Sequence, residues 1–342
     1  MLFCNIDILD DQLEHKKDMF VGVQGAHITY IGSEEPAEAA AYGQRYDGRG
    51  KLLMPAFYNT HAHTPMTLLR GYAENQPLQQ WLNETVWPFE GKMHAGHYAV
   101  GAKLAQAEML RYGVVGYTDM YFGGVECCQA ALESGMKVNH AEGSTMFLDD
   151  YTKCEAFQTN KLLFGDYHGA GDGRIKIDMC IHAEYTTPEG MIRGVTEEAL
   201  RQGAGIHLHM SETKLEHAEC IERHGMTPTA LFESRGVFEY GGGGFHCTYM
   251  TDEDIDIFVR RGLWAVSNPA ANLKLASGIA PLTKMKQAGV NLALGTDGAA
   301  GNNALDLFRE MFLAAALQDW QRFQTAAKSP NQDWRHVTLQ PC

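Results

Sequence analysis

No run of basic residues occurs anywhere in the 342-residue chain, whose 28 Lys plus Arg are outnumbered by 42 Asp plus Glu, for a formal charge of −14. A surface of that sign repels phosphate backbones and anionic headgroups, which argues against nucleic acid, membrane and polyanionic substrates as partners. No stretch approaches the about 18 uninterrupted apolar residues of a membrane span. Met1 to Asp11 carries acids where a signal peptide carries bases. The expected location is therefore cytoplasmic. Eight cysteines are scattered without a C-x-x-C pair, so free thiols are expected, and adjacent Cys127 and Cys128 read as packing residues. The run Gly241 to Gly244 lacks the Lys-Ser/Thr of a phosphate-binding loop and reads as a flexible lead-in to a strand. The absence of a G-x-S-x-G elbow argues against a serine hydrolase.

What is present is ordinary for a globular protein, with 45% of residues apolar and 10% aromatic. At about 150 residues per domain the length suggests two domains, or one barrel of about 250 residues with a small module. Residues 1–54 read as a small β module, with strands at Met19 to Val23, His27 to Ile31 and Lys51 to Met54 and a turn at Gln24-Gly25. Residues 55–318 change texture to a repeated unit, an amphipathic helical stretch ending in Gly and followed at once by an apolar strand. Gly113, Gly135, Gly203, Gly262 and Gly289 stand where a left-handed helix cap is wanted. Eight strands are expected, at Ala56 to Thr60, Val114 to Asp119, Met136 to Ala141, Ile175 to His182, Ala204 to His209, Gly244 to Cys247, Leu263 to Ser267 and Asn291 to Asp297. Alternation alone fits a doubly wound open sheet as well as a (β/α)8 TIM-like barrel. An open sheet gathers its site at one switch point, whereas here polar residues cluster at the C-terminal ends of strands throughout the series, which favours the barrel.

The polar strand ends define candidate chemistry. His61-Ala62-His63 closes the first strand, and two imidazoles two apart on an extended chain share a face and reach one ion. His209 closes the fifth strand, His246 the sixth and Asp297 the eighth. Three His and one carboxylate suit a single zinc or iron with a place left for water. His207 shares a face with His209, so period alone does not say which of the two is a ligand.

The segments Asn59-Thr60-His61-Ala62-His63, Ile206 to Thr213, Ser267 to Leu275 and Gly295 to Ala300 resemble the amidohydrolase superfamily. Within it the chain is most similar, from about residue 19 to about residue 318, to the branch of 5′-methylthioadenosine/S-adenosylhomocysteine deaminases and related chlorohydrolases. The resemblance implies a metal-dependent hydrolase barrel in which His61, His63, His209 and Asp297 bind one divalent metal. The family places Glu three residues after the ligand, which selects His209 over His207. No lysine ends the fourth strand, so a carboxylated lysine bridging a second metal is not expected.

Such an ion brings the pKa of water toward about 7. Asp297 takes the water's proton, Glu212 protonates a ring nitrogen of an aminopurine, and His246 orients the attacking water, which together give hydrolytic deamination. For Glu212 the competing reading is an acid opening the helix through Cys220. The resemblance further implies that Glu90 accepts hydrogen bonds from ribose hydroxyls and that His182 contacts the purine, with Trp87 as a pocket wall. Met66 to Gly71 and the loop around Trp81 read as pocket lids. The expected partner is a small purine nucleoside, and assembly with identical chains is compatible with the sequence.

Two departures from the family shape the expectations. Relatives that accept S-adenosylhomocysteine supply an arginine from the end of the third strand, where this chain has Glu142, an acid that would repel a carboxylate, and Gly301 replaces a common Ser. Adenosine, 5′-methylthioadenosine or 5′-deoxyadenosine is therefore expected to be preferred over S-adenosylhomocysteine. Residues 319–342 no longer resemble the family, and the C-terminal strands that complete a β-sandwich with residues 1–54 are missing, as in a truncated or frameshifted gene. Reduced stability is expected from the exposed strand edges. The alternatives are hydrolysis of another N-heterocycle, such as a triazine, guanine or a pterin, and a truncated, non-catalytic remnant.

Overall fold

The computed structural model describes residues 1–144 and 148–324. The chain divides into two compact units, Met1–Ala56 and a second from Phe57 onward.

The first unit is a five-stranded sheet. Its strands are β1 (Leu2–Leu9), β2 (His15–Gln24), β3 (His27–Gly32), β4 (Arg45–Asp47) and β5 (Leu52–Leu53), in the order β3-β2-β1-β4 with β5 also on β1. The central strand β1 was not expected from the sequence, which drew notice there only for its acids. Its alternation is nevertheless regular: Leu2, Cys4, Ile6 and Ile8 are buried while Phe3, Asn5 and Asp7 turn outward. Ile6, Ile8 and Val21 form the core of this unit.

The second unit is the expected barrel. Its strands are β6 (Phe57–Ala62), β7 (Val114–Tyr121), β8 (Lys137–Glu142), β9 (Ile175–Cys180), β10 (Ile206–Met210), β11 (Gly242–His246), β12 (Trp264–Ser267) and β13 (Asn291–Leu294), hydrogen-bonded in sequence order. Every neighbouring pair is parallel. The ring closes where the Thr60 hydroxyl donates to Leu294 O (2.8 Å) and the amides of Thr296 and Asp297 donate to His61 O (3.1 and 3.0 Å). Gly113, Gly135, Gly203, Gly262 and Gly289 all take positive φ, between +64° and +94°, and so end their helices in the left-handed conformation that side chains resist.

Several local expectations need correction. Gly242 to Gly244 is no flexible lead-in but the body of β11. A Cβ on Gly242 would stand 2.1 Å from Ile206 O and one on Gly243 2.3 Å from Trp264 O, so only glycine lets the adjoining strands approach. The strand expected to end at Asp297 ends at Leu294, leaving Asp297 in a turn at φ +61°. The lid segments are not among these corrections: Met66 and Trp81 line a pocket, packed in one apolar cluster with Leu69 and Leu82. Helix Leu307–Gln324 runs through Gln318, whose amide donates to Ala280 O (2.9 Å). Residues 325–342, the rest of the segment read as a divergent tail, lie outside the described residues. Among the described residues no helix is long and apolar enough to cross a membrane.

Candidate active site

Parallel strands direct their C-terminal ends to one face of the barrel, and the chemistry-bearing residues collect there. His61 is inside β6 and His63 directly follows it; His209 is in β10, and His246 is the last residue of β11. The backbone bends sharply at these ends, since Ser211, His246, Cys247 and Asp297 all have positive φ without being glycine. Residues held in this sparsely populated region cluster at functional sites.

The side chains converge closely. His63 Nε2 lies 3.3 Å from His209 Nε2 and 3.2 Å from Asp297 Oδ1, and His61 Nε2 lies 3.6 Å from the same carboxylate oxygen. His61, His63 and Asp297 form one group of potential ligand atoms within 4.8 Å of each other, and His61, His209 and His246 form a second. The Nδ1 atoms of His63, His209 and His246 are each taken by an oxygen: Met120 O at 2.5 Å, His182 O at 2.8 Å and Asn272 Oδ1 at 2.7 Å. That arrangement protonates Nδ1 and turns the Nε2 lone pairs inward, as metal-binding imidazoles require. Burial drives His61 and His209 well below the ordinary histidine value, so both stay neutral. Burial would raise Asp297, but its contact with His63 outweighs this and holds the carboxylate below its usual range. The Nε2 atoms of His63 and His209, facing each other beside an ionised carboxylate whose Oδ1 also accepts the Gly298 amide (2.7 Å), fit a divalent cation.

Glu212 borders this cluster and does not open a helix. The helix begins at Lys214, with Thr213 and Glu216 as a reciprocal cap, and Glu216 accepts the Glu212 amide at 2.7 Å. The Glu212 side chain is thereby free to turn inward. Its Oε1 accepts from the Ser277 hydroxyl (2.8 Å), and its Oε2 lies 3.7 Å from His246 Nε2. Burial raises its pKa, against the opposing influence of His246, which suits a group that donates a proton.

His63, His209, Asp297, Glu212 and His246 open into one pocket of about 670 Å³, mouth included, that Trp87, Glu90 and His182 also line. Glu90 accepts from the Tyr121 hydroxyl at 2.5 Å, and burial pushes its pKa up to about 6. His182 is depressed to about 3 by burial, with Nδ1 against the Thr186 hydroxyl (2.8 Å) and the Trp87 ring 6.3 Å away. Glu142 is the residue placed otherwise than the sequence suggested. It turns away from the pocket to accept the amides of Gly123 (3.3 Å) and Gly124 (2.8 Å) at the start of helix Gly124–Ser134. Its charge is satisfied there. Among the described residues lining the pocket there is no Lys or Arg. Tyr121, Asn272 and Ser277 were missed as partners of Glu90, His246 and Glu212. Asn272 had a faint signal, since it stands inside the quoted segment Ser267 to Leu275.

Residues 52–334 match the Amidohydrolase family. The chain is 40% identical over 271 residues to a 5-methylthioadenosine/S-adenosylhomocysteine deaminase of Dictyoglomus thermophilum, covering 79% of this chain and 63% of that protein. It is 38% identical over 272 residues to a 5′-deoxyadenosine deaminase of Methanothermobacter thermautotrophicus, covering 80% and 64%. The chain thus spans somewhat less than two thirds of the length of these two curated relatives. A zinc-bound crystal structure of an adenosine deaminase from Xanthomonas campestris superposes with a TM-score of 0.84 at 30% identity, over 96% of this chain and 76% of that one.

Proposed function

The chain belongs to the amidohydrolase family, and from that premise we propose that it is a metal-dependent hydrolytic deaminase of adenine nucleosides. The observation that carries this reading is the placement of Glu212, a buried carboxyl of raised pKa held by Ser277 at the edge of the His61, His63, His209 and Asp297 cluster. A metal hydrolase acting on a good leaving group needs such an acid less. A ring amine needs it, because ammonia leaves only after the ring nitrogen has been protonated and the amine-bearing carbon made electrophilic.

The chemistry that one divalent cation supplies when held by His61, His63, His209 and Asp297 is activation of water at neutral pH. Zinc is the proposed ion, with iron as the other occupant of this donor set. Asp297 accepts the proton released by the water, and His246, fixed by Asn272, hydrogen-bonds the water and aims it at the ring. Glu212 donates to the ring nitrogen, the proton collected by Asp297 goes to the departing amine, and the hydroxyl proton on the attacked carbon returns to Glu212 as the carbonyl forms, so both carboxyl groups end as they began. His182, neutral at working pH, and Trp87 hold the base; Glu90, ionised above about pH 6, accepts from the ribose hydroxyls.

A small purine nucleoside is the proposed partner, in adenosine, 5′-methylthioadenosine or 5′-deoxyadenosine form. The lack of a cation among the described lining residues disfavours the homocysteine carboxylate. A reducing, cytoplasmic setting is proposed on the seven described cysteines, all buried and unpaired. The test is ammonia release by the zinc-loaded protein from these nucleosides alongside guanine and a chlorotriazine. Turnover confined to the adenine nucleosides is expected; turnover of the triazine or guanine alone would replace the reading.

A further inference from the structure

Three of the four imidazoles crowding the site are fixed by an Nδ1 hydrogen bond, to Met120, His182 or Asn272. His61 is the exception. Both its nitrogens are buried, and neither has a hydrogen-bond partner among the described residues. A ligand ring that can turn about its last torsion must be ordered when it binds, which weakens affinity, and this is why metal-binding histidines are so regularly tied from behind.

His61 is held by ring packing instead. Phe245, buried in β11, lies flat against it with centroids 3.8 Å apart and planes 21° from parallel. Phe245 is stacked in turn with His207, at 5.7 Å and 7°. His207 is anchored through Nε2 to Asp178 Oδ2 at 2.8 Å, and Asp178 also accepts from Asn139 (2.7 Å) and the Gly205 amide (3.2 Å). Gly295 packs so closely behind His61 that a Cβ there would stand 2.6 Å from the His61 Cβ.

We infer that Phe245, backed by His207 and Asp178, is the positioning group for His61, doing by stacking what a hydrogen bond does for the other three imidazoles. This gives His207 a task, namely to hold the plane of Phe245. The inference rests on the metal-site reading above, and it concerns how tightly the cation is held.

The test is the zinc dissociation constant, measured by chelator competition, for the wild-type chain and for Phe245→Leu, His207→Gln and Phe258→Leu. Phe245→Leu keeps an apolar side chain but loses the flat ring, and a rise of about ten- to a hundredfold is expected, the usual cost of losing a ligand's orienting partner. His207→Gln keeps a donor for Asp178 and loses only the outer ring; about two- to tenfold is expected. Phe258 is equally buried but lies in helix Asp252–Arg261 beside Phe238, so Phe258→Leu should lower the melting temperature without changing zinc affinity. Wild-type affinity in Phe245→Leu, or equal weakening in Phe258→Leu, would overturn the inference. If Phe245→Leu does not fold, His207→Gln decides in the same way. A wild-type chain that takes up no zinc would instead sink the metal-site reading itself.

Discussion

His207 and His209 stand two residues apart on β10, yet they belong to two different kinds of place. Toward the N-terminal end of the strands, His207 meets Asp178, and that carboxylate is saturated by His207, Asn139, Lys176 and the Gly205 amide. Burial would raise Asp178, but these partners hold it far below the usual carboxylate range. Two residues on, His209 faces His63 lone pair to lone pair at 3.3 Å, beside a carboxylate and near an acid of raised pKa. The residue types are the same at both ends. What separates structure from function is whether the ionisable groups satisfy each other, as Asp178 and its partners do, or are left facing one another, as the His63 and His209 Nε2 atoms are.

The comparison can be broken most directly by removing a charge from each end. Asp297→Ala should cut turnover about a thousandfold or more, since it removes a cation ligand and the group that accepts the water's proton; ammonia release and metal content measure both losses. On the binding side of the same pocket, Glu90→Gln should raise KM for a nucleoside about tenfold or more by exchanging a charged acceptor for a neutral one. Glu90 is raised to about 6, so it is ionised at neutral pH and protonated in acid. KM should therefore climb as pH falls below about 6, and this climb should vanish in Glu90→Gln. For stability the sign is opposite: a raised carboxyl favours the fold below its ordinary value of 4.5, and that gain is lost as pH rises through about 6.

At the saturated end, Asp178→Asn should cost about 2 kcal/mol of stability through weakened charged hydrogen bonds while leaving kcat, measured at saturating zinc, within a few-fold of wild type. Thermal melting and steady-state kinetics on one preparation check this, and a collapse of kcat with an unchanged melting temperature would erase the distinction between the ends. The smallest expected effect concerns substrate: S-adenosylhomocysteine should be turned over less efficiently than 5′-methylthioadenosine. Since Glu142 is tied to Gly123 and Gly124, the discrimination comes from lack of a partner for the carboxylate and not from repulsion by Glu142. Equal kcat/KM for the two would refute it.

The barrel was legible because its joints are local: five glycines at helix ends, each followed by an apolar strand, carry their own backbone reason. The convergent ligands were legible because H-x-H on an extended chain shares a face and strand ends of a barrel meet. What stayed hidden arises from contacts between distant segments. Ser277 reaches Glu212 across 65 residues and Tyr121 reaches Glu90 across 31, and no local pattern announces either. The glycines of β11 are required by neighbouring backbones that only the closed sheet brings near. Glu142 was misread because its charge was weighed without the helix start that absorbs it. The strand β1 is a different case, since its alternation was present in Leu2, Cys4, Ile6 and Ile8 and was passed over.

The account stands most directly on Glu212 as the proton donor of a deamination. The decisive measurement is ammonia release from 5′-methylthioadenosine by Glu212→Gln and wild-type protein at equal zinc content. The account predicts a fall of about a hundredfold or more in kcat with the metal still bound. Turnover at the wild-type rate in Glu212→Gln would contradict it.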